Sequence, residues 1–405
     1  MIEGMYGSKS TLGWPFRLLN GVTKRLWTRV RLDEVSLSNA AIRQTGLEDF
    51  GDPHYREGLT RLIESAEYDA RLHLIGRKVM SALITVFLVN RLLLAETRRR
   101  RPEIFRTSLL PPLVILGLPR SGTTFLHGML ALDPANRSIP AWQTMRPIAN
   151  GEPDRRRQTY HWENKTQSLL IPKLGSMHYS RTDTPEECVI LLGTTFVSAI
   201  FSTCAPVYGY QDWLSSHDHL MAYREYLALL QIIQYPDSTR RFALKSPVHT
   251  GSIYSLLSVI PDALIIQTHR HPIPVCNSTN SLIYQMHNLV TERHDIPRMV
   301  NVNIDTLVKW VNSSMAARDS GAATVHDVFY DQLVTDPIRT VKSIYDQFNL
   351  EWTRVFETRL QAYVSAHPQG LHGKHVYSGS DFGVKDEETA KRFGAYINRY
   401  RLMNK

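Results

Sequence analysis

The chain has 405 residues, of which 43% are hydrophobic and 21% are charged, and its formal net charge is +9. This composition excludes a disordered chain, because the apolar side chains suffice for a sizeable core and no low-complexity tract is present. The length suits two average domains, or one large domain with an extension. The positive charge favours an anionic partner, which is a nucleic acid, an anionic membrane surface or a polyphosphorylated small molecule.

The first part of the chain has apolar positions at the helical period and few β-branched runs, so we predict a helical extension over residues 1–105. A basic segment begins at Phe16 and ends at Val30, with apolar residues at near-helical spacing. It either packs within the protein or an oligomer, or makes a peripheral contact with an anionic membrane. Residues 79–89 are apolar, but a spanning helix needs about 20 residues. We therefore predict a buried helix there.

The three cysteines, Cys188, Cys204 and Cys276, share no CxxC spacing and have no histidine partners at metal-binding spacing. We therefore expect the three cysteines to be small buried hydrophobic side chains of a protein in a reducing compartment, and we expect no zinc site. The N-terminus has an early acid and no apolar core, which is unlike a secretory signal. We therefore expect a cytoplasmic protein.

Beyond residue 105 short apolar runs alternate with helical segments. Alternation of buried strands with helices predicts an α/β domain over residues 106–405, with a central parallel sheet covered by helices on both faces. The predicted strands are residues 113–116, 241–244, 263–268 and 324–330. The predicted helices are residues 249–259, a segment after Pro272, and residues 337–348.

The first of these strands leads directly into a glycine-rich loop with the sequence GLPRSGTT, from Gly117 to Thr124. A strand, a loop and a helix in this order present backbone N–H groups and a helix N-terminus to an anion, and Arg120 adds a guanidinium. The spacing matches a Walker A loop, except that Thr123 stands where the lysine belongs. No acidic residue ends the strands at Leu116 or Thr268, so a Mg-triphosphate site is poorly supplied. The loop predicts a P-loop-type three-layer fold that binds a phosphate group other than that of a Mg-triphosphate.

The loop resembles the 5′-phosphosulfate loop of sulfotransferases that use 3′-phosphoadenosine-5′-phosphosulfate (PAPS). In that family a second element supplies an Arg and a Ser to the 3′-phosphate, and Arg270 and Ser278 have the matching spacing. The resemblance covers residues 40–400, including stretches at 183–188, 244–249, 330–337 and 381–383. It looks most like the bacterial-type branch that is similar to tyrosylprotein sulfotransferases. The donor contacts that it implies are Arg120, Ser121, Gly122, Thr123, Thr124, Arg270, Ser278 and, in a late basic loop, Lys374 and His375.

The resemblance also implies catalytic residues. Lys245 has the spacing of the lysine that stabilises the departing oxygen in similar enzymes. Gln143 stands where the related branch has its glutamate base, and an amide cannot usefully accept a proton. Either the alignment slips, or the base comes from elsewhere, or the protein does not catalyse transfer. The preferred substitute is His249, since a histidine pKa suits the task, although His249 could instead cap or pack the next helix. His178 is a weaker candidate.

Three functions remain open on these grounds. The leading one is a metal-free sulfotransferase that moves a sulfonate from PAPS to a hydroxyl or amine of a small-molecule, lipid or other acceptor. The second is a nucleotide kinase or NTPase of the same architecture, and the third is a nucleotide-binding pseudoenzyme. A nucleic-acid partner is disfavoured, because no aromatic–basic platform is visible. We expect an insertion at about 150–235 to shape the acceptor pocket, and the oligomeric state stays open.

Overall fold

The computed structural model describes residues 30–170, 182–367, 382 and 384–403, with side chains described throughout except at 167–170. Within this part the strands form a five-stranded sheet in the order β2-β3-β1-β4-β5, and every neighbouring pair is parallel. The strands are β1 Leu113–Gly117, β2 Asn136–Arg137, β3 Arg241–Lys245, β4 Leu264–His269 and β5 Val325–Phe329. The prediction of a parallel α/β sheet is confirmed, while the two-residue β2 is too short to leave a pattern in the sequence.

Alternate strand residues point to opposite faces of the sheet, and both faces are buried. Val114 and Phe242 belong to one core cluster, which also holds buried residues of the N-terminal helices. Ile115 and Ile266 belong to a second cluster on the other face, together with buried residues of the later helices. The molecule therefore has three layers, with the sheet in the middle.

Helices α1 to α3 precede the sheet, and α4 to α10 lie between β1 and β3. The remaining helices follow β3, and in the described part of the chain three 3₁₀ turns interrupt the series. In chain order the helices are α1 Glu34–Thr45, α2 Tyr55–Tyr68, α3 Leu74–Arg100, α4 Thr123–Leu130, α5 Ala141–Met145, α6 Arg156–Leu170, α7 Val189–Leu192, α8 Ile200–Cys204, α9 Tyr208–Leu214, α10 Leu220–Gln234, α11 Ile253–Val259, α12 Pro272–His287, α13 Ile296–Asp319, α14 Tyr330–Thr335, α15 Pro337–Gln347, α16 Arg354–Ala366, α17 Asp386–Arg392 and α18 Gly394–Tyr400. The 3₁₀ turns are Pro102–Arg106, Gly193–Thr195 and Pro247–Thr250.

The long helix α3 is apolar enough, by length and composition alone, to cross a membrane. Most of its apolar residues are instead packed inside the protein, with Met80, Ile84, Phe87 and Leu88 fully buried, while Val79 at the edge of the predicted stretch is exposed. The same core cluster contains sheet residues, so α3 is a core helix of the protein. The buried helix predicted over residues 79–89 is confirmed. The domain boundaries at 105 and 106 stay predictions.

One predicted helix begins later than expected. Residues 249–259 were expected to be helical throughout, but a 3₁₀ turn occupies Pro247–Thr250, and α11 begins at Ile253. The hydroxyl of Ser246 caps this turn by accepting a hydrogen bond from the backbone N–H of Val248. The proline at the second position after the strand and this local cap favour a tight turn over a continuous helix. His249 therefore lies on the turn, close to the end of β3.

Candidate active site

The glycine-rich loop starts at the carboxyl end of β1, the central strand of the sheet. Gly117 has φ 126°, and a Cβ there would lie 2.4 Å from the backbone oxygen of Thr268 on β4. Its backbone N–H donates to the hydroxyl of Thr250 across the other neighbouring strand end, at 2.8 Å. Glycine is needed here because the backbone approaches β4 closely in a conformation that other residues rarely adopt. The loop is thereby tied to both neighbours of β1.

The loop backbone passes through the left-handed region at two positions. Arg120 has φ 62° and Gly122 has φ 92°, both in the left-handed region. A non-glycine residue held there is strained, and such strain is concentrated at functional sites. Helix α4 follows at Thr123, and within the described residues no side chain caps its N-terminus. Its first N–H groups and the positive end of the helix dipole are therefore available to an anion.

Ser121 has a structural position within the loop. It is completely buried, and its hydroxyl lies 2.5 Å from both the backbone oxygen of Leu118 and the hydroxyl of Thr268. Thr123 is also buried, whereas Thr124 is exposed. Ser121 thus fixes the loop against β4, and the exposed Thr124 is the better placed of the two threonines to meet a ligand.

The two predicted phosphate elements converge in space. Arg120 Nε donates to the hydroxyl of Ser278 on α12 at 3.1 Å, and Arg270 Nη1 donates to the backbone oxygen of Arg120 at 2.7 Å. Arg270 directly follows β4, and its guanidinium lies over the ring of Tyr330, 4.0 Å from the centroid. Residues far apart in the sequence therefore form one cationic corner beside β1.

This corner has an excess of positive charge. Burial is the main cause that lowers the pKa of the Arg270 guanidinium, and the charge of Arg120 lowers it further. In the described part of the chain neither of these two guanidinium groups is ion-paired with a carboxylate, unlike Arg146, which pairs with Glu163 at 2.7 Å. A bound anion would relieve the repulsion and the lost solvation together.

On the opposite side of β1, Lys245 ends β3. Its Cα is the ladder partner of Ile115, so its side chain emerges beside the start of the loop. The ammonium is buried, at 2% exposure, and contacts the Glu187 carboxylate at 2.6 Å. Glu187 is 26% exposed. The site therefore holds a buried cation whose partner carboxylate is open to solvent.

Glu187 reaches Lys245 because its segment pairs with the chain after β2. The backbone N–H of Glu186 donates to Ile139, that of Ala141 donates to Thr184, and that of Cys188 donates to the backbone oxygen of Lys245. Residues 182–188 thus lie between β3 and α5, the short helix that carries Gln143.

His249 lies in a different environment. Its ring is fully buried, with Nδ1 2.7 Å from the hydroxyl of Tyr223 and Nε2 3.1 Å from the sulfur of Cys188. The ring of Tyr226 packs against it as well. Burial lowers the pKa of His249 to about 3 and raises that of Cys188 to about 12. These contacts are those of a neutral core histidine, and they leave its predicted role as base without an open face toward an acceptor.

A family model described as a sulfotransferase family matches residues 111–354, which span β1 to the start of α16. The chain belongs to this sulfotransferase family. The match includes the loop, Lys245, Arg270 and Ser278, so the family resemblance read from these motifs is confirmed.

Solved structures of other sulfotransferases agree with the fold. Sulfotransferase STF1 from Mycobacterium tuberculosis H37Rv is 28% identical to this chain. The two structures align with a TM-score of 0.79, and the alignment covers 90% of this chain and 98% of STF1. Sulfotransferase STF9 from Mycobacterium avium is 24% identical, with a TM-score of 0.83 over 91% of this chain and 97% of STF9, and this likeness concerns the fold. The three-layer architecture, a central parallel sheet flanked by helices, is thereby established for the chain.

The name of one related sulfotransferase includes the acceptor on which that protein acts. Omega-hydroxy-beta-dihydromenaquinone-9 sulfotransferase Stf3 from Mycobacterium bovis is 24% identical over 318 residues, which are 72% of this chain and 75% of that protein.

The candidate site also contains Glu187, to which the sequence assigns no role. Glu187 belongs to the stretch 183–188 that resembles the family, but its contact with Lys245 depends on pairing that no local pattern reveals. The predicted residues Lys374, His375 and His178 lie outside the described residues. Among the residues that are described, no group of three His, Cys, Asp or Glu side chains could hold a metal ion.

Proposed function

We propose that this sulfotransferase moves a sulfonate group from PAPS to a hydroxyl or amine of an acceptor, by in-line displacement and without a metal ion, as the resemblance implies. The observation that carries the proposal is the convergence of Arg120, Arg270 and Ser278 at the carboxyl edge of β1. Two guanidinium groups and a hydroxyl fit a donor with a phosphate beyond the one that the loop itself can hold.

Each part of the donor then has its own contact. The N–H groups of the loop and of the α4 N-terminus, from Ser121 to Thr124, would bind the 5′-phosphosulfate. Arg270 and Ser278 would bind the 3′-phosphate, and the exposed Arg120 would lie between the two groups. Lys374 and His375 stay predicted contacts of a late basic loop.

Lys245 suits the leaving-group end of the reaction. Lys245 is the last residue of β3, its Cα pairs with that of Ile115 two residues before the loop, and its side chain is buried. A fixed cation there would neutralise the negative charge that develops on the departing bisphosphate oxygen. Preorganised charge of this kind needs no reorganisation during transfer, which is why we assign Lys245 to the transfer step.

The acceptor is proposed only as a class. The name of the Mycobacterium bovis relative describes a hydroxylated, apolar acceptor, so a hydroxyl-bearing small molecule or lipid is the first class to test. Residues at about 150–235 are proposed to shape the acceptor pocket. We further propose a cytoplasmic location, with the basic segment that ends at Val30 as the place to look for a peripheral membrane contact.

The donor site is tested by calorimetry with 3′-phosphoadenosine-5′-phosphate, the product of the donor. We expect Arg270→Ala to weaken binding by about tenfold to a hundredfold, because charge-assisted hydrogen bonds are each worth about 1.5–3 kcal/mol. Arg56→Ala, at an exposed arginine of α2, is the matched control and should bind as the wild type does. Undiminished affinity in Arg270→Ala would contradict the proposal.

The same preparation separates the two alternatives. A nucleotide kinase or NTPase would be stabilised against heat by Mg-ATP and not by the bisphosphate nucleotide, and Thr123 in place of the Walker lysine argues against it. A nucleotide-binding pseudoenzyme would bind the bisphosphate and transfer no labelled sulfonate in a single turnover. Both results would contradict a sulfotransferase that uses PAPS.

A further inference from the structure

Glu187 is a partly exposed acid beside a buried cation. Its carboxylate contacts the buried ammonium of Lys245, yet 26% of its side chain is exposed. Glu186, the preceding residue, is buried at 6% exposure, and its carboxylate accepts a hydrogen bond from the backbone N–H of Glu187. Glu187 is therefore a partly exposed acid whose carboxylate touches the proposed leaving-group lysine.

The backbone places Glu187 beside the segment that carries Gln143. Residues 139–142 and 182–186 exchange backbone hydrogen bonds, from Glu186 to Ile139 and from Ala141 to Thr184. Gln143 follows directly in α5. An amide cannot usefully accept a proton, whereas a carboxylate can. A proton acceptor is thus available next to the position where the amide stands.

We propose that Glu187 is the general base of the transfer, an assignment that rests on the proposed function. Glu187 takes the proton of the acceptor hydroxyl while the acceptor oxygen forms its bond to the sulfur of the donor. The bond between that sulfur and the 5′-phosphate oxygen breaks, and the leaving bisphosphate keeps the electron pair. Lys245 donates an N–H to this departing oxygen, since an ammonium has three donors and the contact with Glu187 uses one.

The ion pair couples the two ends of the displacement. As Lys245 turns toward the charge that develops on the leaving oxygen, its attraction for Glu187 weakens. The carboxylate oxygen that Lys245 releases can then accept the hydrogen of the acceptor hydroxyl. Proton removal at the acceptor therefore strengthens at the moment when the donor bond breaks, and a base that never contacted Lys245 would lack this coupling.

The test is Glu187→Gln, which keeps the shape of the side chain and removes the proton acceptor. Single-turnover rates with labelled PAPS are measured with three acceptors, which are water, a simple alkanol, and 4-nitrophenol above its own pKa. Water and the alkanol keep their proton until attack, so we expect the variant to lose about 10²–10⁴-fold with these two. The phenolate has no proton to give, and its rate should fall only a few-fold.

The control is Glu67→Gln, at an ion-paired, partly exposed glutamate that contacts Arg77 on α3. It should keep wild-type rates, and both variants should bind 3′-phosphoadenosine-5′-phosphate with wild-type affinity by calorimetry. Equal losses with all three acceptors overturn the base assignment, because Glu187 would then act through Lys245. An undiminished alkanol rate in Glu187→Gln overturns it too, as does a wild-type enzyme that transfers only to the phenolate. If the wild type binds the bisphosphate and transfers to none of the three, the proposed function fails as well.

Discussion

The two sides of the central strand β1 are assembled in different ways. On the β4 side, the loop follows β1, Arg270 follows β4, and Ser278 lies on the helix that begins directly afterwards. On the β3 side, Lys245 follows the same rule, but its partner Glu187 comes from a segment that packs across the strand end. One side is built from strand ends alone, and the other depends on pairing between distant segments.

The two sides also differ in their charge. Arg120 and Arg270 contact each other, and in the described chain neither makes an ion pair with a carboxylate, although the charge of Asp331 acts on Arg270. The remaining excess of positive charge favours a bound anion. Lys245 instead contacts a carboxylate, which favours proton transfer and stabilisation of a leaving group. In the proposed reaction, the side of β1 without an ion-paired acid binds the donor, and the side with Glu187 carries out the transfer.

The largest expected effect is on the β3 side. Lys245→Met keeps a long apolar stem in a buried position and removes the ammonium, so we expect kcat to fall by about 10³-fold, because a preorganised donor to the leaving oxygen is lost. The dissociation constant of 3′-phosphoadenosine-5′-phosphate should change much less, since Arg270 and the loop hold it. Single-turnover transfer of labelled sulfonate and calorimetry measure the two quantities.

Lys342→Met on α15 is the control for the loss of a lysine charge, because Lys342 is an exposed residue paired with Asp346. It should leave both quantities at wild-type values. If Lys245→Met keeps a kcat within a few-fold of the wild type, the β3 side does not stabilise the leaving group. The proposed difference in function between the two sides of β1 is then wrong.

A smaller effect is expected on the β4 side, at the loop backbone. Gly122 has φ 92°, and a Cβ there would lie 2.7 Å from Leu333 Cδ2 on α14. Gly122→Ala should lower the free energy of unfolding by about 1–3 kcal/mol, since a non-glycine residue is strained there. It should weaken bisphosphate binding by about tenfold, because the loop N–H groups move. Denaturant unfolding and calorimetry measure these changes.

Gly394→Ala is its counterpart at a position where a Cβ meets no atom within 4 Å and φ is not positive. Alanine at the start of α18 should leave stability unchanged or slightly raised, with binding unaffected. A Gly122→Ala variant as stable and as tight-binding as Gly394→Ala would show that the loop does not hold the donor.

The donor side could be predicted from the sequence because its residues follow buried strands directly. The apolar run at 113–116, the loop, and Arg270 after the run at 263–268 are local patterns, and parallel strands bring their carboxyl ends to one edge. The loop and Arg270 are together in the structure for this reason, although their ligand contacts stay predictions. The sheet order, with β1 between β3 and β4, is consistent with this rule.

The transfer side could not be predicted in the same way. Glu187 belongs to a stretch that resembles the family, but its contact with Lys245 depends on hydrogen bonds between residues 139–142 and 182–186, which no periodicity encodes. His249 stood out because it is a histidine soon after Lys245. Chain proximity did not reveal that the 3₁₀ turn directs its ring toward Tyr223 and Cys188 instead of toward solvent.

The smallest effect on activity is expected at His249 itself. If Glu187 is the base, His249→Gln should keep kcat within a few-fold of the wild type, since the ring is buried among Tyr223, Tyr226 and Cys188. Its effect should appear in the pH dependence of stability. Burial lowers the pKa of His249 from 6.5 to about 3 in the folded protein, so the unfolded chain binds the proton more readily. The wild type should therefore lose stability as the pH falls below about 6.5, by about 1.4 kcal/mol per pH unit from this residue.

His287→Gln provides the comparison, because His287 is another buried histidine, bonded to the backbone oxygen of Ser202, whose pKa burial lowers to about 4. Glutamine does not titrate, so urea unfolding at several pH values should show that the stability of each variant depends less steeply on pH than that of the wild type. Both variants should also transfer sulfonate at an unimpaired rate. If only His249→Gln loses kcat, by about 10²-fold or more, then His249 is the base and the acid on the β3 side serves Lys245 alone. If His249→Gln alone keeps the wild-type pH dependence of stability, the His249 ring is already charged in the fold. Its contacts with Tyr223 and Cys188 do not favour that state.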